Sequence, residues 1–147
     1  MKKTFFILII SIALSFGAFA QGSSNSCRDF TQTGVDILNE NDFIPDGRFN
    51  SAKVAPDDRI EIYKPFYRGR NYMIVITIED DMPGVYVEVK DITRKVILKN
   101  DESEKVVKFE FTPEKNQNLI ISVKVDKDAE IPDDKKGCIA VLVGYKI

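Results

Sequence analysis

The sequence predicts an all-β protein, an antiparallel, jelly-roll-like β-sandwich of about eight strands. Apolar and polar residues alternate from about residue 48 to the C-terminus. Turn-forming residues interrupt this pattern at short intervals. The intervals are too short for the crossover helices that parallel strands need. The predicted organisation is therefore a signal peptide at residues 1–20, an N-terminal leader at 21–45 and the β-sandwich domain at 46–147.

The N-terminus has the three parts of a secretory signal peptide. Two lysines precede an apolar run at residues 5–16, and an Ala-Phe-Ala pattern follows at residues 18–20. This pattern predicts cleavage between Ala20 and Gln21. The apolar run is shorter than the roughly 20 residues of a membrane span. We therefore expect an exported protein, periplasmic or extracellular, with no membrane insertion after cleavage.

The leader contains one segment whose structure the sequence leaves open. Residues 27–40 can form a short helix with Ser26 as its N-cap. Thr31, Thr33 and Gly34 lower the helix propensity of this segment. A short helix and an irregular segment are therefore both compatible with the sequence. The apolar residues available for packing are Phe30, Val35, Ile37 and Leu38.

Eight runs of alternating residues define the predicted strands. They lie near residues 48–54, 58–64, 71–79, 84–91, 94–99, 104–112, 117–126 and 137–146. The last run is apolar on both faces through Val143, which indicates a central strand buried on each side or covered at one edge. Gly69 and Gly84 fall in turns and are expected to have positive φ. A closed eight-stranded barrel is the alternative architecture.

The chain has two cysteines, Cys27 and Cys138. An even number of cysteines in an exported protein indicates a disulfide. This Cys27–Cys138 bond would tie the leader to the start of the last strand. The alternative is two separate buried thiols.

The composition argues against an enzyme. The chain has no histidine, which removes Ser-His-Asp and Cys-His catalysis and histidine metal sites. Loop acids such as Asp80 and Asp81 lack the spacing of a calcium loop, so no metal site and no cofactor are predicted. Cleavage of the signal peptide changes the formal net charge from −2 to −4, and no basic patch for nucleic acid is present. A small hydrolase using paired carboxylates is kept as an alternative.

An aromatic group surrounds the turn after the second predicted strand: Tyr63, Phe66, Tyr67 and Tyr72. Such residues either pack in the core or contact a partner. Tyr67 is the preferred surface residue because Arg68 and Arg70 lie beside it, and Tyr and Arg dominate binding hot spots. The predicted function is therefore a binding module for a protein or glycan. A stabilising or chaperone-like accessory domain for another secreted protein is the alternative.

Two segments together resemble a known family. They are YKPFYRGRNYMIV at residues 63–75 and KGCIAVLVGYK at residues 136–146. They resemble small secreted bacterial proteins related to the pre-peptidase C-terminal domain, a jelly-roll β-sandwich. The resemblance covers roughly residues 45–147. It implies the fold and an extracytoplasmic setting, and it implies no catalytic residues.

Overall fold

A computed structural model describes residues 27–80, 82, 84–101, 104–127 and 136–147 of the chain. The predicted signal peptide, its cleavage site at Ala20 and Gln21, and the proposed N-cap Ser26 lie outside the described residues. The described part contains one helix and nine strands: α1 (Arg28–Glu40), β1 (Ile44–Pro45), β2 (Asn50–Val54), β3 (Arg59–Phe66), β4 (Tyr72–Ile78), β5 (Val85–Asp91), β6 (Val96–Lys99), β7 (Val106–Phe111), β8 (Gln117–Val125) and β9 (Gly137–Tyr145).

The strands pair as one long nested hairpin that is rolled up. β2 pairs with β9, β3 with β8, β4 with β7 and β5 with β6, all antiparallel. Rolling adds the β4–β9 and β5–β8 pairs. The result is two sheets. The five-stranded sheet contains β9, β4 and β7 in that order, and both β1 and β2 pair with the outer edge of β9. The four-stranded sheet has the order β3–β8–β5–β6. This nested pairing confirms the predicted jelly-roll sandwich, and the closed barrel is wrong because the strands divide into two sheets.

The core between the sheets follows the predicted alternation. Apolar residues at alternate positions of β4, β5 and β8 point inward and are almost fully buried; these are Tyr72, Ile74, Ile76, Ile78, Val85, Val87, Val89, Leu119, Ile121, Val123 and Val125. Side chains of β9, which lies beside β4 in the same sheet, complete this layer. The burial of these apolar side chains is the main stabilising contribution to the sandwich.

Helix α1 covers the outer face of the five-stranded sheet and forms a second core there. Its buried residue Leu38 packs with Met73, Val75, Ala140 and Leu142 of β4 and β9. All seven residues of β4 and eight of the nine residues of β9 are buried. The prediction that the last strand is buried on both faces is therefore confirmed.

The helix exists despite the residues that lower its propensity, and Gly34 shows why. A Cβ atom at Gly34 would lie 2.3 Å from Cδ1 of Leu142. The glycine thus lets the helix approach the sheet closely, and tertiary packing outweighs the local preference. The N-cap position is Cys27. The predicted Cys27–Cys138 disulfide is confirmed, with 5.3 Å between the Cα atoms, and it fastens the start of α1 to β9. In the described part of the chain, no helix has the length and apolarity to cross a membrane.

Candidate functional site

The turn between β3 and β4 is held in place by hydrogen bonds from its own backbone. The Tyr67 N–H donates to the Tyr72 hydroxyl at 3.1 Å, and the Arg68 N–H donates to Oδ1 of Asn116 at 2.8 Å. Gly69 has φ 74°, as its position in the turn predicted. These contacts fix the backbone from which the three predicted binding residues project.

The aromatic residues near this turn divide between the core and the surface. Phe66 packs edge-on against Tyr72 with ring centroids 4.9 Å apart, and Phe111 contacts Phe66 at 5.2 Å. Phe66 and Tyr72 are therefore core residues that anchor the turn. Tyr63 and Tyr67 are instead 61% and 53% exposed. Tyr63, on the outward-facing side of β3, is thus the more exposed of the two.

An open cleft of about 380 Å³ lies beside the turn. We call it the tyrosine–arginine cleft, after four of the side chains that line it: Tyr63, Tyr67, Arg48 and Arg70. The structure therefore brings two of the three predicted binding residues, Tyr67 and Arg70, to one cleft. The third, Arg68, is exposed and does not line it.

A buried lysine forms the inner wall of the cleft. Lys64 is only 6% exposed. Its Nζ donates to Oδ2 of Asp46 at 2.7 Å and to the Arg48 carbonyl at 2.8 Å. Asp46 also accepts the Arg48 N–H at its other carboxylate oxygen, at 2.8 Å. Because Asp46 and Arg48 precede β2 and Lys64 lies in β3, the ion pair links the edges of the two sheets.

The two arginines of the cleft carry charge that the described residues leave uncompensated. The guanidinium of Arg70 lies 4.7 Å from the ring centroid of Tyr145, a cation–π arrangement that orients it. Within the described ranges, four ion pairs form, and none of them includes Arg48 or Arg70. Among the described residues that line the cleft, Asp46 is the one carboxylate, and it is paired with Lys64. The cleft is therefore locally cationic on a protein whose net charge is negative.

A second ion pair lies on the outer face of the four-stranded sheet. Arg94 donates to both carboxylate oxygens of Glu61, at 2.8 and 3.3 Å. This hydrogen bonding lowers the pKa of Glu61 and raises the pKa of Arg94. The Thr93 hydroxyl likewise lowers the pKa of Asp91 by donating a hydrogen bond to its carboxylate. These shifts accompany exposed structural contacts outside the cleft.

No group of three or more Cys, Asp or Glu side chains in the described ranges is placed to hold a metal ion. Asp80 belongs to those ranges, whereas Asp81 lies outside them. The absence of a metal site and of a cofactor remains a prediction from the sequence.

Sequence reasoning missed the part of the cleft that comes from distant segments. Asp46 and Arg48 are separated from Lys64 by 18 and 16 positions in the chain. One local signal was present. Lys64 occupies an inward position in the alternation of β3, between Ile62 and Phe66. An inward-facing lysine requires an acidic or carbonyl partner, which the sequence alone does not locate.

The sequence matches no protein-family model and no curated relative. Among solved structures, the chain is similar to PliG, a periplasmic lysozyme inhibitor of g-type lysozyme from Aeromonas hydrophila, with a TM-score of 0.51 and 10% identity over 67% of this chain and 85% of that one. It is also similar to the pre-peptidase C-terminal domain of a collagenase from Bacillus anthracis, with a TM-score of 0.50 and 10% identity over 65% of this chain and 87% of that one.

These likenesses concern the fold. The resemblance to the pre-peptidase C-terminal domain that the two sequence segments predicted is confirmed at that level. The two similar structures are named as a periplasmic inhibitor of g-type lysozyme and as the pre-peptidase C-terminal domain of a collagenase.

Proposed function

We propose that this protein is an exported, non-catalytic domain that binds a protein partner through the tyrosine–arginine cleft. The observation that carries the proposal is the pair of exposed tyrosines, Tyr63 and Tyr67, beside Arg70 on a hydrogen-bonded turn. Tyrosine and arginine are the residues most often found at binding hot spots. A turn that is already ordered loses little conformational freedom when a partner binds.

The proposal of a non-catalytic role rests on the residues themselves. The chain contains no histidine, and the described lining of the cleft includes a single carboxylate, Asp46, which is bonded to Lys64. These described lining residues therefore offer no pair of carboxylates for hydrolysis. The small-hydrolase alternative is tested by assaying highly purified protein on generic ester, peptide and glycoside substrates. Turnover of any of them would contradict the non-catalytic proposal.

Export is supported by two independent features. The signal-peptide pattern predicts a mature N-terminus at Gln21. The Cys27–Cys138 disulfide is a bond that oxidising compartments sustain. Intact-mass analysis of the exported protein should show the loss of residues 1–20. Retention of these residues would contradict the cleavage proposal.

A protein partner is favoured over a glycan. The chain has no tryptophan, although tyrosine can also stack on a sugar ring. The similar structure PliG is named as an inhibitor of g-type lysozyme, so the same fold serves protein binding elsewhere. Purified g-type lysozyme is therefore a first candidate for direct titration. A glycan array tests the remaining ligand class.

The experiment compares two matched double variants. Partners are captured from the exported proteins of the source cell, identified, purified and titrated by calorimetry. Tyr67→Ala with Arg70→Gln should weaken binding by about 30-fold, the effect of a hot spot of about 2 kcal/mol. Tyr86→Ala with Arg28→Gln removes an exposed tyrosine and an exposed arginine outside the cleft. Equal affinities of the two double variants for a captured partner would contradict the proposed surface.

The accessory-domain alternative makes a different prediction for the partner proteins captured in this experiment. A stabilising domain should raise the melting temperature or the yield of a second secreted protein. If the captured partner is protected in this way and the cleft variant protects it equally well, the accessory role replaces the proposed one.

A further inference from the structure

The tyrosine–arginine cleft continues along the side of the sandwich. A second hollow of about 460 Å³ lies between β2 and β3, and both spaces are lined by Asn50 and Ile62. We call this second space the side hollow. Its lining includes Ile60 from β3 and Val141 from the inter-sheet core. Polar residues, among them Ser51 and Glu61, also line the side hollow, and the carboxylate of Glu61 is bound by Arg94. A groove with apolar side chains in the wall of one end and arginines at the other end therefore runs along the open side of the sandwich.

The edge of β3 that borders this groove has unpaired backbone groups. In the described part of the chain, β3 pairs with β8 alone. The Val125 N–H donates to the Asp58 carbonyl at 3.0 Å, so every second residue from Asp58 onward bonds to β8 across the regular register. The N–H groups of Glu61 and Tyr63, which lie between those positions, therefore point away from β8 toward the free edge.

Two residues confine the accessible part of this edge to its first half. Pro65 is at the same alternate position as Tyr63, so it has no N–H to offer the free edge. Lys64 points inward and binds Asp46 across the groove. Prolines and inward-pointing charges are devices that prevent strand pairing at edges. Neither device is present from Arg59 to Tyr63, where the longest edge strand of the described sheets remains open to a partner.

The chemistry of the groove specifies what fits it. The side hollow offers Ile60 and Ile62 at its wall, a surface for an apolar side chain. The adjoining cleft offers Arg48 and Arg70, which have no carboxylate partner among the described residues. A carboxylate is the natural ligand of an arginine guanidinium. Residues 60 and 64 of β3 are about 13 Å apart at the usual rise of a strand, so the two sites are a few residues apart on an extended chain.

From these observations we infer that the groove binds an extended polypeptide segment of the partner as an added strand along β3. The segment forms backbone hydrogen bonds with Glu61 and Tyr63, places an apolar side chain in the side hollow and reaches Arg48 and Arg70 with an acidic side chain a few residues away. The inference rests on the proposed function, because it names the element of the protein partner that the cleft recognises.

The charge requirement is tested with an unbiased probe. A displayed library of random dodecapeptides is selected against the wild-type protein, and the enriched peptides are synthesised and titrated. We expect them to combine apolar residues with Asp or Glu, and to bind at least tenfold more weakly to Arg48→Gln/Arg70→Gln. The matched control is Arg28→Gln, which removes an exposed arginine on helix α1. Its affinity should equal that of wild type. Basic or neutral consensus peptides, or no enrichment, would overturn the inference.

The backbone contact is tested at one position with two substitutions. Tyr63→Ala deletes the ring but keeps the N–H group, whereas Tyr63→Pro also removes the N–H group. Since this N–H does not bond to β8, the ladder between β3 and β8 should survive. We expect Tyr63→Pro to bind the selected peptides at least tenfold more weakly than Tyr63→Ala. Equal affinity of the two variants would overturn the added strand.

A second measurement covers the case in which Tyr63→Pro fails to fold. In the wild-type protein, hydrogen exchange at the Glu61 and Tyr63 amides should slow by at least tenfold when a selected peptide is bound in excess. Unchanged exchange at these amides with saturating peptide would overturn the inference.

Two outcomes separate this inference from its alternatives. A captured partner that depends on Tyr67 and Arg70 but leaves the Glu61 and Tyr63 amides unprotected would overturn the added strand while supporting the proposed function. A wild-type dimer in sedimentation experiments, lost in Tyr63→Pro and kept in Tyr63→Ala, would also overturn the inference. The edge of β3 would then be covered by a second copy of this chain.

Discussion

The exchange Asp46→Asn should destabilise the protein much more than the exchange Lys64→Met, although each removes one member of the same ion pair. The asymmetry follows from burial, because the side chain of Lys64 is 8% exposed and that of Asp46 is 22% exposed. Asp46→Asn leaves a buried ammonium facing an amide. Lys64→Met leaves a carboxylate that water can reach and that still accepts the Arg48 N–H at 2.8 Å.

The magnitudes follow from what each variant leaves without a partner. Removing one partner of a buried ion pair costs about 3–5 kcal/mol, whereas replacing a buried ion by an apolar residue of similar size is often nearly neutral. Lys64 keeps its bond to the Arg48 carbonyl at 2.8 Å in Asp46→Asn. We therefore expect a loss of about 2–4 kcal/mol for Asp46→Asn and about 0–1.5 kcal/mol for Lys64→Met. The double variant should resemble Lys64→Met rather than the sum of the two, a coupling of about 2 kcal/mol.

Equilibrium urea unfolding at neutral pH, with the disulfide intact, measures these differences. Equal m-values across the four proteins would show that the unfolding midpoint reports stability alone. The reasoning is refuted if Lys64→Met is destabilised as much as Asp46→Asn, or if the effects of the two exchanges are additive. Either result would mean that Lys64 is not desolvated and that the ion pair does not hold the wall of the cleft.

Three further predictions concern the frame of the site. Replacing both cysteines with alanine should lower the free energy of unfolding, measured with urea, by about 4–5 kcal/mol in the chain-entropy account. The effect is large because the disulfide joins residues 111 positions apart. Two free thiols in the denatured, unreduced wild-type protein would contradict the bond. Gly34→Ala should cost about 1 kcal/mol, since overpacking against Leu142 exceeds the gain in helix propensity; a raised melting temperature would contradict this. Glu61→Gln should lower the melting temperature above pH 4.5, because the lowered pKa of Glu61 makes its ionised form stabilising there. The difference in melting temperature between wild type and variant should shrink as the pH falls further. A difference that grows on acidification would contradict the predicted direction of the pKa shift.

The strands could be predicted from the sequence because burial on a sheet repeats every two residues. All eight predicted runs overlap strands of the structure. The strand that was missed, β1, is two residues long and contains Pro45, so its alternation was too short to detect. Its pairing with Gly144 and Tyr145 is set by the position of β9, which is not a local property.

Helix α1 could not be predicted with certainty from its own residues, because a long-range contact stabilises it. Thr31, Thr33 and Gly34 argue against a helix on propensity alone, yet α1 spans all three. The contact that decides the matter joins Gly34 to Leu142, more than a hundred residues away along the chain. No property of the leader by itself identifies that partner.

The cleft likewise combines residues that local sequence features indicate with residues that only the tertiary structure brings together. Tyr67 and Arg70 could be proposed from the sequence because they lie in one turn, and an exposed turn is a local feature. Lys64 was visible as an irregularity in an inward series of apolar residues, and its burial implies a partner from another segment. That partner, Asp46, comes from the residues before β2, and it draws the edges of the two sheets together where the groove begins. The residue that breaks the hydrophobic pattern of β3 is thus the one that ties the cleft to the fold, so a single inward charge in an otherwise regular strand is itself a signal for a site between sheet edges.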